Sequence, residues 1–137
     1  MITPEDLAVL LAEGRYDRSG EVACRASVEL HLAARLPPGC GLAAGGPILP
    51  ELDAPQLLVD GRFVVEVWAG WGADRERRLT RRMMALADLT CVEALFLLTD
   101  FPMRQASSPH WRLIGPGKMF FWQPLPALGP GLGGGGA

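Results

Sequence analysis

The sequence predicts a single α/β/α domain in which helices flank a central mixed β-sheet of about four to five strands. Stretches with helical periodicity alternate along the chain with short apolar runs of strand length. One basic helical stretch lies between two apolar strands, an order typical of the crossover that joins parallel strands. The 137 residues are enough for one domain with a hydrophobic core.

The composition narrows the class of protein. Hydrophobic residues make up 49% of the chain, which is typical of a globular protein rather than a disordered one. The net charge of −2 gives no overall basic signature, so any attraction for nucleic acid must be local. The cysteines Cys24, Cys40 and Cys91 show no CxxC spacing, which argues against a zinc site or disulfides and favours a cytoplasmic protein. No apolar run reaches the length of a membrane span, so we expect no membrane partner.

Two helices are predicted in the first third of the chain. The first begins after Thr3, whose side chain can cap it, and ends near Gly14. The second spans about residues 21–36 and ends at the Pro-Pro-Gly sequence that follows. Helical periodicity predicts that one apolar stripe of the second helix is buried. This stripe consists of Val22, Ala26, Leu30 and Ala33, widened by Leu32 and Leu36.

Glu29 falls inside that stripe, where a carboxylate is uncommon. One interpretation is an ion pair with Arg25, four residues earlier on the same helix. The other is a carboxylate that faces a functional site between this helix and the sheet.

A β-hairpin is predicted in the middle of the chain. The apolar runs 57–59 and 63–65 flank Asp60-Gly61, a strong turn signal. If the turn centres on Gly61, Gln56 lies opposite Glu66, and both share a sheet face with Trp68. Glu66 is either a solvated residue on an open face or a carboxylate held in an apolar strand for chemistry.

A third helix is predicted over residues 73–87 or 73–89, and it carries a local excess of positive charge. Its buried stripe should consist of Leu79, Met83, Leu86 and Ala87. Its arginines are Arg75, Arg77, Arg78, Arg81 and Arg82. They either form a solvated face with pairs to Asp74 and Glu76 or contact phosphates.

The remaining strands are predicted within residues 40–49, at 92–100 and at 118–122, with a polar loop over 103–117. The domain is expected to span residues 1–123. Residues 124–137 are rich in proline and glycine and are predicted to form a flexible tail.

The order of these features resembles the PD-(D/E)XK nuclease superfamily, which has the restriction-endonuclease-like fold. The resemblance covers roughly residues 21–100. It rests on a helix with a glutamate, a strand, Pro55-Gln56 and Glu66-Val67-Trp68 across a hairpin, and then a helix and an apolar strand. The family has an acid after proline on its second strand, acid-x-lysine on its third and often a glutamate on its first helix. The resemblance therefore places Gln56, Glu66 and Glu29 at catalytic positions and implies Mg²⁺ as the cofactor of an active enzyme.

This chain departs from the family pattern at two positions. Gln56 stands where the family has a metal-binding aspartate, and Trp68 stands where it has the lysine. An amide oxygen can coordinate Mg²⁺ but supplies no charge, and tryptophan cannot activate water. The resemblance implies that Asp53 or Asp60 replaces the aspartate, so that Glu66 and Asp53 would hold the metal. It implies that a helix arginine replaces the lysine as a charge and not as a base; the candidates are Arg75, Arg78 and Arg82.

Three functions remain open from the sequence. The first is a catalytically impaired nuclease-like domain that binds DNA or protein with Trp68, Trp71 and the arginines of the third helix. The second is an active magnesium-dependent DNA endonuclease, which hydrolyses phosphodiesters at a rearranged site. The third is an unrelated α/β homodimeric interaction domain.

Overall fold

A computed structural model describes residues 2–44, 57–69, 73–88, 91–100, 111–113 and 119–125. The helices are α1 (Pro4–Glu13), α2 (Glu21–Arg35) and α3 (Ala73–Ala87). The strands are β1 (Leu42–Ala44), β2 (Leu57–Val59), β3 (Phe63–Trp68), β4 (Ala94–Thr99), β5 (Trp111–Leu113) and β6 (Met119–Pro124). The three predicted helices are thus confirmed, with ends within two residues of those expected.

The strands form one mixed sheet in the order β1-β2-β3-β4-β6-β5. The first three strands are antiparallel neighbours, β3, β4 and β6 run parallel, and β5 is antiparallel to β6. The predicted α/β class and the parallel crossover through α3 are confirmed. Among the described residues the sheet contains six strands, against about four to five expected, and the additional strand is β5, which lies where a polar loop was expected. A strand of three residues is too short to show a period in the sequence.

Helix α1 begins and ends as its sequence indicates. The Thr3 side chain accepts a hydrogen bond from the Asp6 N–H at 3.1 Å, and the Asp6 carboxylate accepts one from the Thr3 N–H at 3.2 Å. This capping box satisfies two backbone donors at the helix start. At the other end, the chain turns at Gly14 so that Tyr16 folds back and donates its hydroxyl hydrogen to the Leu11 carbonyl at 2.7 Å.

Each face of the sheet carries its own apolar core. One core lies against α1 and α2 and takes Phe63, Val65 and Val67 from β3, as predicted. The other lies against α3 and takes Val64 from β3. The α3 stripe is confirmed, since its predicted members are all buried: Leu79, Met83, Leu86 and Ala87. The central strands β3 and β4 are therefore covered on both faces, as their nearly continuous apolar sequences require.

The predicted buried stripe of α2 is wrong for its four central residues, because the helix is rotated by about half a turn from the expected orientation; of the two residues that widened it, Leu32 is buried and Leu36 is partly buried. The residues that pack on the sheet are Cys24, Val28 and Leu32. Val22 and Leu30, which were expected in the core, are 73% and 72% exposed. The sequence carries apolar residues at helical spacing on both sides of α2, so periodicity alone could not choose between them.

Contacts from other elements fix the observed rotation of α2. The Glu21 carboxylate accepts a hydrogen bond from the Ala69 N–H at 2.8 Å, at the end of β3. His31 donates from Nε2 to the Leu10 carbonyl of α1 at 2.8 Å and packs edge-to-face on Tyr16. His31 is therefore held in the contact between the two helices.

All three cysteines are free thiols. Burial raises the pKa of the Cys24 thiol to about 11, so it is protonated near neutral pH. The folded region continues past residue 123, because the Leu125 N–H donates to the Thr99 carbonyl at 2.7 Å and the Leu125 side chain is buried. Among the described residues, no helix is long and apolar enough to cross a membrane.

We expect Gly14→Ala to lower the free energy of unfolding by about 2 kcal/mol, a typical cost of overpacking. The reason is steric, since a Cβ at position 14 would overlap the buried ring and hydroxyl of Tyr16. Urea denaturation measures the change. Gly41→Ala is the matched control, because a Cβ there meets no atom and Gly41 caps no helix. An equal loss in both variants would contradict the steric explanation.

Candidate functional site

Glu66 is a fully buried carboxylate in the middle of the sheet, with 0% of its surface exposed. It lies on β3 between β2 and β4, directly beside Leu97 of β4. Side chains alternate along a strand, so Glu66 points to the α3 face together with Val64 and Trp68. The interpretation of Glu66 as a solvated residue on an open face is therefore wrong.

Two donors from different elements hold the Glu66 carboxylate. Arg82 of α3 donates from Nε to Oε1 at 2.7 Å and from Nη2 to Oε2 at 3.1 Å. Trp68, two residues further along β3, donates from its indole Nε1 to Oε1 at 3.1 Å. The arginine contact is bidentate, the geometry that matches a planar guanidinium to a carboxylate.

The pair is nearly removed from water, since the side chains of Arg82 and Glu66 are 16% and 0% exposed. A carboxylate buried without a partner would carry a large desolvation cost, and the guanidinium, which stays protonated in proteins, offsets it. The pair also joins the basic helix to the central strand. Arg82 therefore holds the charge of Glu66 inside the protein.

This donor arrangement does not fit a divalent cation. Both oxygens of Glu66 accept hydrogen bonds from a positively charged group, which would repel Mg²⁺. A hard cation needs several oxygen ligands, usually with more than one carboxylate. Within the part of the chain that the structure describes, no group of three metal-ligating side chains forms around Glu66 or elsewhere.

A second polar contact lies beside this pair, at the carboxyl ends of the parallel strands. The Trp122 indole of β6 donates to the Thr99 hydroxyl of β4 at 2.9 Å, and Thr99 is the sheet neighbour of Trp68. Thr99 is fully buried. Neither Thr99 nor Trp122 was predicted as a member of this polar group. The available signal was that a buried tryptophan needs a partner for its N–H.

The other carboxylates predicted for a catalytic site do not join Glu66. Glu29 lies on α2, which packs on the opposite face of the sheet. Asp60 lies in the β2–β3 turn at φ 56°, where it pairs with Arg62 at 3.0 Å. Glu66 lies roughly 10 Å along β3 from its first residue, Phe63, and Asp60 lies in the turn before that residue. Glu29 forms no ion pair with Arg25 among the described residues, and the α2 residues buried toward the sheet are Cys24, Val28 and Leu32 instead.

Three predicted site residues lie outside the described residues: Asp53, Gln56 and Trp71. The described hairpin pairs Leu57 with Val65 and Leu58 with Val64, which is the register that was predicted from the turn at Gly61.

The arginines of α3 divide into an inner and an outer set. Arg82 is the inner one, so its predicted role as a free phosphate contact is corrected by its pairing with Glu66. Arg77, Arg78 and Arg81 are exposed on the outer side. Arg77 pairs with Asp74 at 3.0 Å, an exposed contact three residues apart that is worth little in water. Arg75 lies in the helix, but its side chain is outside the described part.

The side chains of Arg78 and Arg81 make no ion pair or hydrogen bond in the part of the chain that the structure describes. They are three residues apart, so they lie on the same side of α3. We call Arg77, Arg78 and Arg81 the outer arginines of α3. They form the local positive patch that the overall charge of −2 does not reveal.

Comparison of the chain with protein-family models, with curated proteins and with solved structures gave no match.

We expect Arg82→Met to lower the free energy of unfolding by about 3 kcal/mol, because it leaves the Glu66 charge buried without its partner. The double variant Glu66→Leu/Arg82→Met should recover most of this loss, since both charges are then removed. Urea denaturation measures the coupling energy between Glu66 and Arg82. It is applied to the wild type, to the single variants Arg82→Met and Glu66→Leu, and to the double variant.

Arg81→Met is the matched control, because Arg81 directly precedes Arg82 on α3 and is exposed. Its effect should stay within about 0.5 kcal/mol. Additive effects of the two single changes at positions 66 and 82 would contradict the proposed charge coupling.

Proposed function

We propose that this protein is a non-catalytic domain of restriction-endonuclease-like architecture that binds the phosphate backbone of nucleic acid through the outer arginines of α3. The observation that carries this proposal is the division of the α3 arginines. Arg82 is bound to Glu66, while Arg78 and Arg81 remain exposed without partners among the described residues.

The order and direction of the elements support the architecture. Helix α2 is followed by the antiparallel strands β1, β2 and β3, then by α3 and then by β4, which is parallel to β3. This is the order on which the resemblance to the PD-(D/E)XK superfamily was based. Glu66 lies on the third strand of this unit, at the position of the acid in that resemblance.

The surroundings of Glu66 support the loss of catalysis. In a metal-dependent nuclease, a cation at this acid activates water and stabilises the charge that develops on phosphate. Arg82 brings positive charge to the acid, but a guanidinium presents no open coordination position for water and does not act as a base. The cofactor of the alternative enzyme, Mg²⁺, therefore has no part in the function that we propose.

The outer arginines of α3 support the choice of nucleic acid as the partner. Exposed guanidinium groups on one helix face bind phosphate through charge and paired hydrogen bonds. Three such contacts would give affinity without base recognition, because phosphate contacts carry no direct sequence information. The binding is thus expected to be weak at physiological salt and to rise steeply as salt is lowered.

Binding of a fluorescein-labelled 20-base-pair DNA duplex, measured by anisotropy, tests the proposed function. About three phosphate contacts predict a slope of roughly −2.7 for log K against log salt. Arg78→Ala/Arg81→Ala should reduce the slope by about two and weaken binding at low salt by at least tenfold. Arg35→Ala, which removes an exposed arginine at the end of α2, is the matched control and should have little effect.

A salt-independent signal, or an equal effect of the control and the double variant, would overturn the role of α3. Single-stranded DNA and an RNA duplex of equal length, run in parallel, identify the nucleic acid that is bound best.

A plasmid-nicking assay with Mg²⁺ or Mn²⁺ tests the proposed loss of catalysis. We expect no metal-dependent nicking by the wild type, since Arg82 occupies both oxygens of Glu66. The matched comparison is Glu66→Gln prepared in the same way. Metal-dependent nicking that disappears in Glu66→Gln would support the active endonuclease instead.

A further inference from the structure

The outer side of α2 carries a stripe of exposed apolar residues. We define this α2 face by Val22, Ala26, Leu30 and Ala33, which are all exposed. At 100° per residue they fall within an arc of about 80°. Val22 and Leu30 are more exposed than the other large apolar side chains of the described residues, at 73% and 72% against 62% for Met84 and 58% for Val9.

We propose that the α2 face is the contact surface for a second copy of this chain, with the two α2 helices packed antiparallel about a two-fold axis near Ala26. In that arrangement, Val22 of each copy lies opposite Leu30 of the other, and the two Ala26 residues meet at the axis. A small residue at the crossing point allows the helices to approach closely, while the larger side chains fill the space on either side. A two-fold contact requires this kind of self-complementary surface.

The charges beside the α2 face have the same self-complementarity. Arg25 and Glu29 are partly buried, lie on the same side of the face and are one turn apart. The two-fold axis brings Arg25 of each copy to within about 3 Å, measured along the helix axis, of Glu29 of the other. Neither residue has an ion pair or a side-chain hydrogen bond among the described residues, so both are available for reciprocal pairs. This charge pattern is the reason for choosing a second copy as the partner.

The area of the α2 face sets the expected affinity of the dimer. A contact made by one helix from each copy is smaller than the roughly 1,600 Å² that stable complexes bury. We therefore expect association with a Kd of roughly 10 to 100 µM. The α2 face and the outer arginines of α3 belong to helices on opposite faces of the sheet. Association through α2 would leave both α3 helices exposed. Dimer formation would therefore not require nucleic-acid binding, and each can be tested without the other.

Sedimentation equilibrium of the full chain from 5 µM to 500 µM tests the proposal, and we expect a monomer–dimer equilibrium. Leu30→Glu should weaken association at least tenfold, because it places two carboxylates in the apolar contact. Val9→Glu is the matched control, since it makes the same kind of change at an exposed apolar residue of α1. Circular dichroism checks that both variants are folded, as expected for exposed positions.

A charge exchange tests whether the partner is a second copy in the proposed orientation. Arg25→Glu alone and Glu29→Arg alone should each weaken association, because they bring like charges together. The double variant Arg25→Glu/Glu29→Arg should recover it, since both copies then carry the reversed pair. A monomer at 500 µM, equal effects of Leu30→Glu and Val9→Glu, or failure of the double variant to recover association would overturn the proposal.

Discussion

The bidentate pair between Glu66 and Arg82 is the interaction on which the α3 side of this fold depends. A carboxylate with 0% exposure in the central strand must have a cationic partner, and the partner comes from the crossover helix. The pair therefore links β3 to α3 through charge as well as through the apolar contacts of Leu79, Met83 and Leu86. Trp68 adds a third hydrogen bond at 3.1 Å, so the tryptophan that interrupts the acid-x-lysine pattern supports the acid instead.

This arrangement changes what the acid can do. In the nuclease interpretation, Glu66 would contribute negative charge to a cation and a water molecule. In the observed arrangement, that charge is compensated within the protein by a group that cannot exchange ligands or act as a base. The other predicted carboxylates that the structure describes also lie too far from Glu66 to bind a cation together with it. Glu29 packs with α2 on the other face of the sheet, and Asp60 is paired with Arg62 at the far end of β3. Binding through the remaining exposed charges is the function that these contacts favour.

The two helical surfaces of the domain have different chemistry because the sheet separates them. On one side, α3 presents outer arginines after using Arg82 for the core. On the other side, α2 buries one apolar stripe and leaves a second one exposed, with Arg25 and Glu29 beside it. An apolar helix surface that nothing in the described chain covers is typical of a contact surface for another protein. The two proposed contacts, of the charged face with nucleic acid and of the apolar face with a second copy, therefore would not compete.

The amino-acid order was enough to predict the α/β class, the three helices, the hairpin register at Gly61 and the parallel crossover, because these depend on local turn chemistry, capping and periodicity. It also identified Glu66 as the unusual carboxylate. The tertiary structure decided which side of α2 is buried, because both sides carry apolar residues and only contacts such as Glu21 with Ala69 select one. It alone showed that Arg82, among several helix arginines, reaches Glu66, since that choice depends on how α3 docks on the sheet. Partners that are distant in sequence carry no local signal, and for this reason the chemistry of the site could be read only from the folded chain.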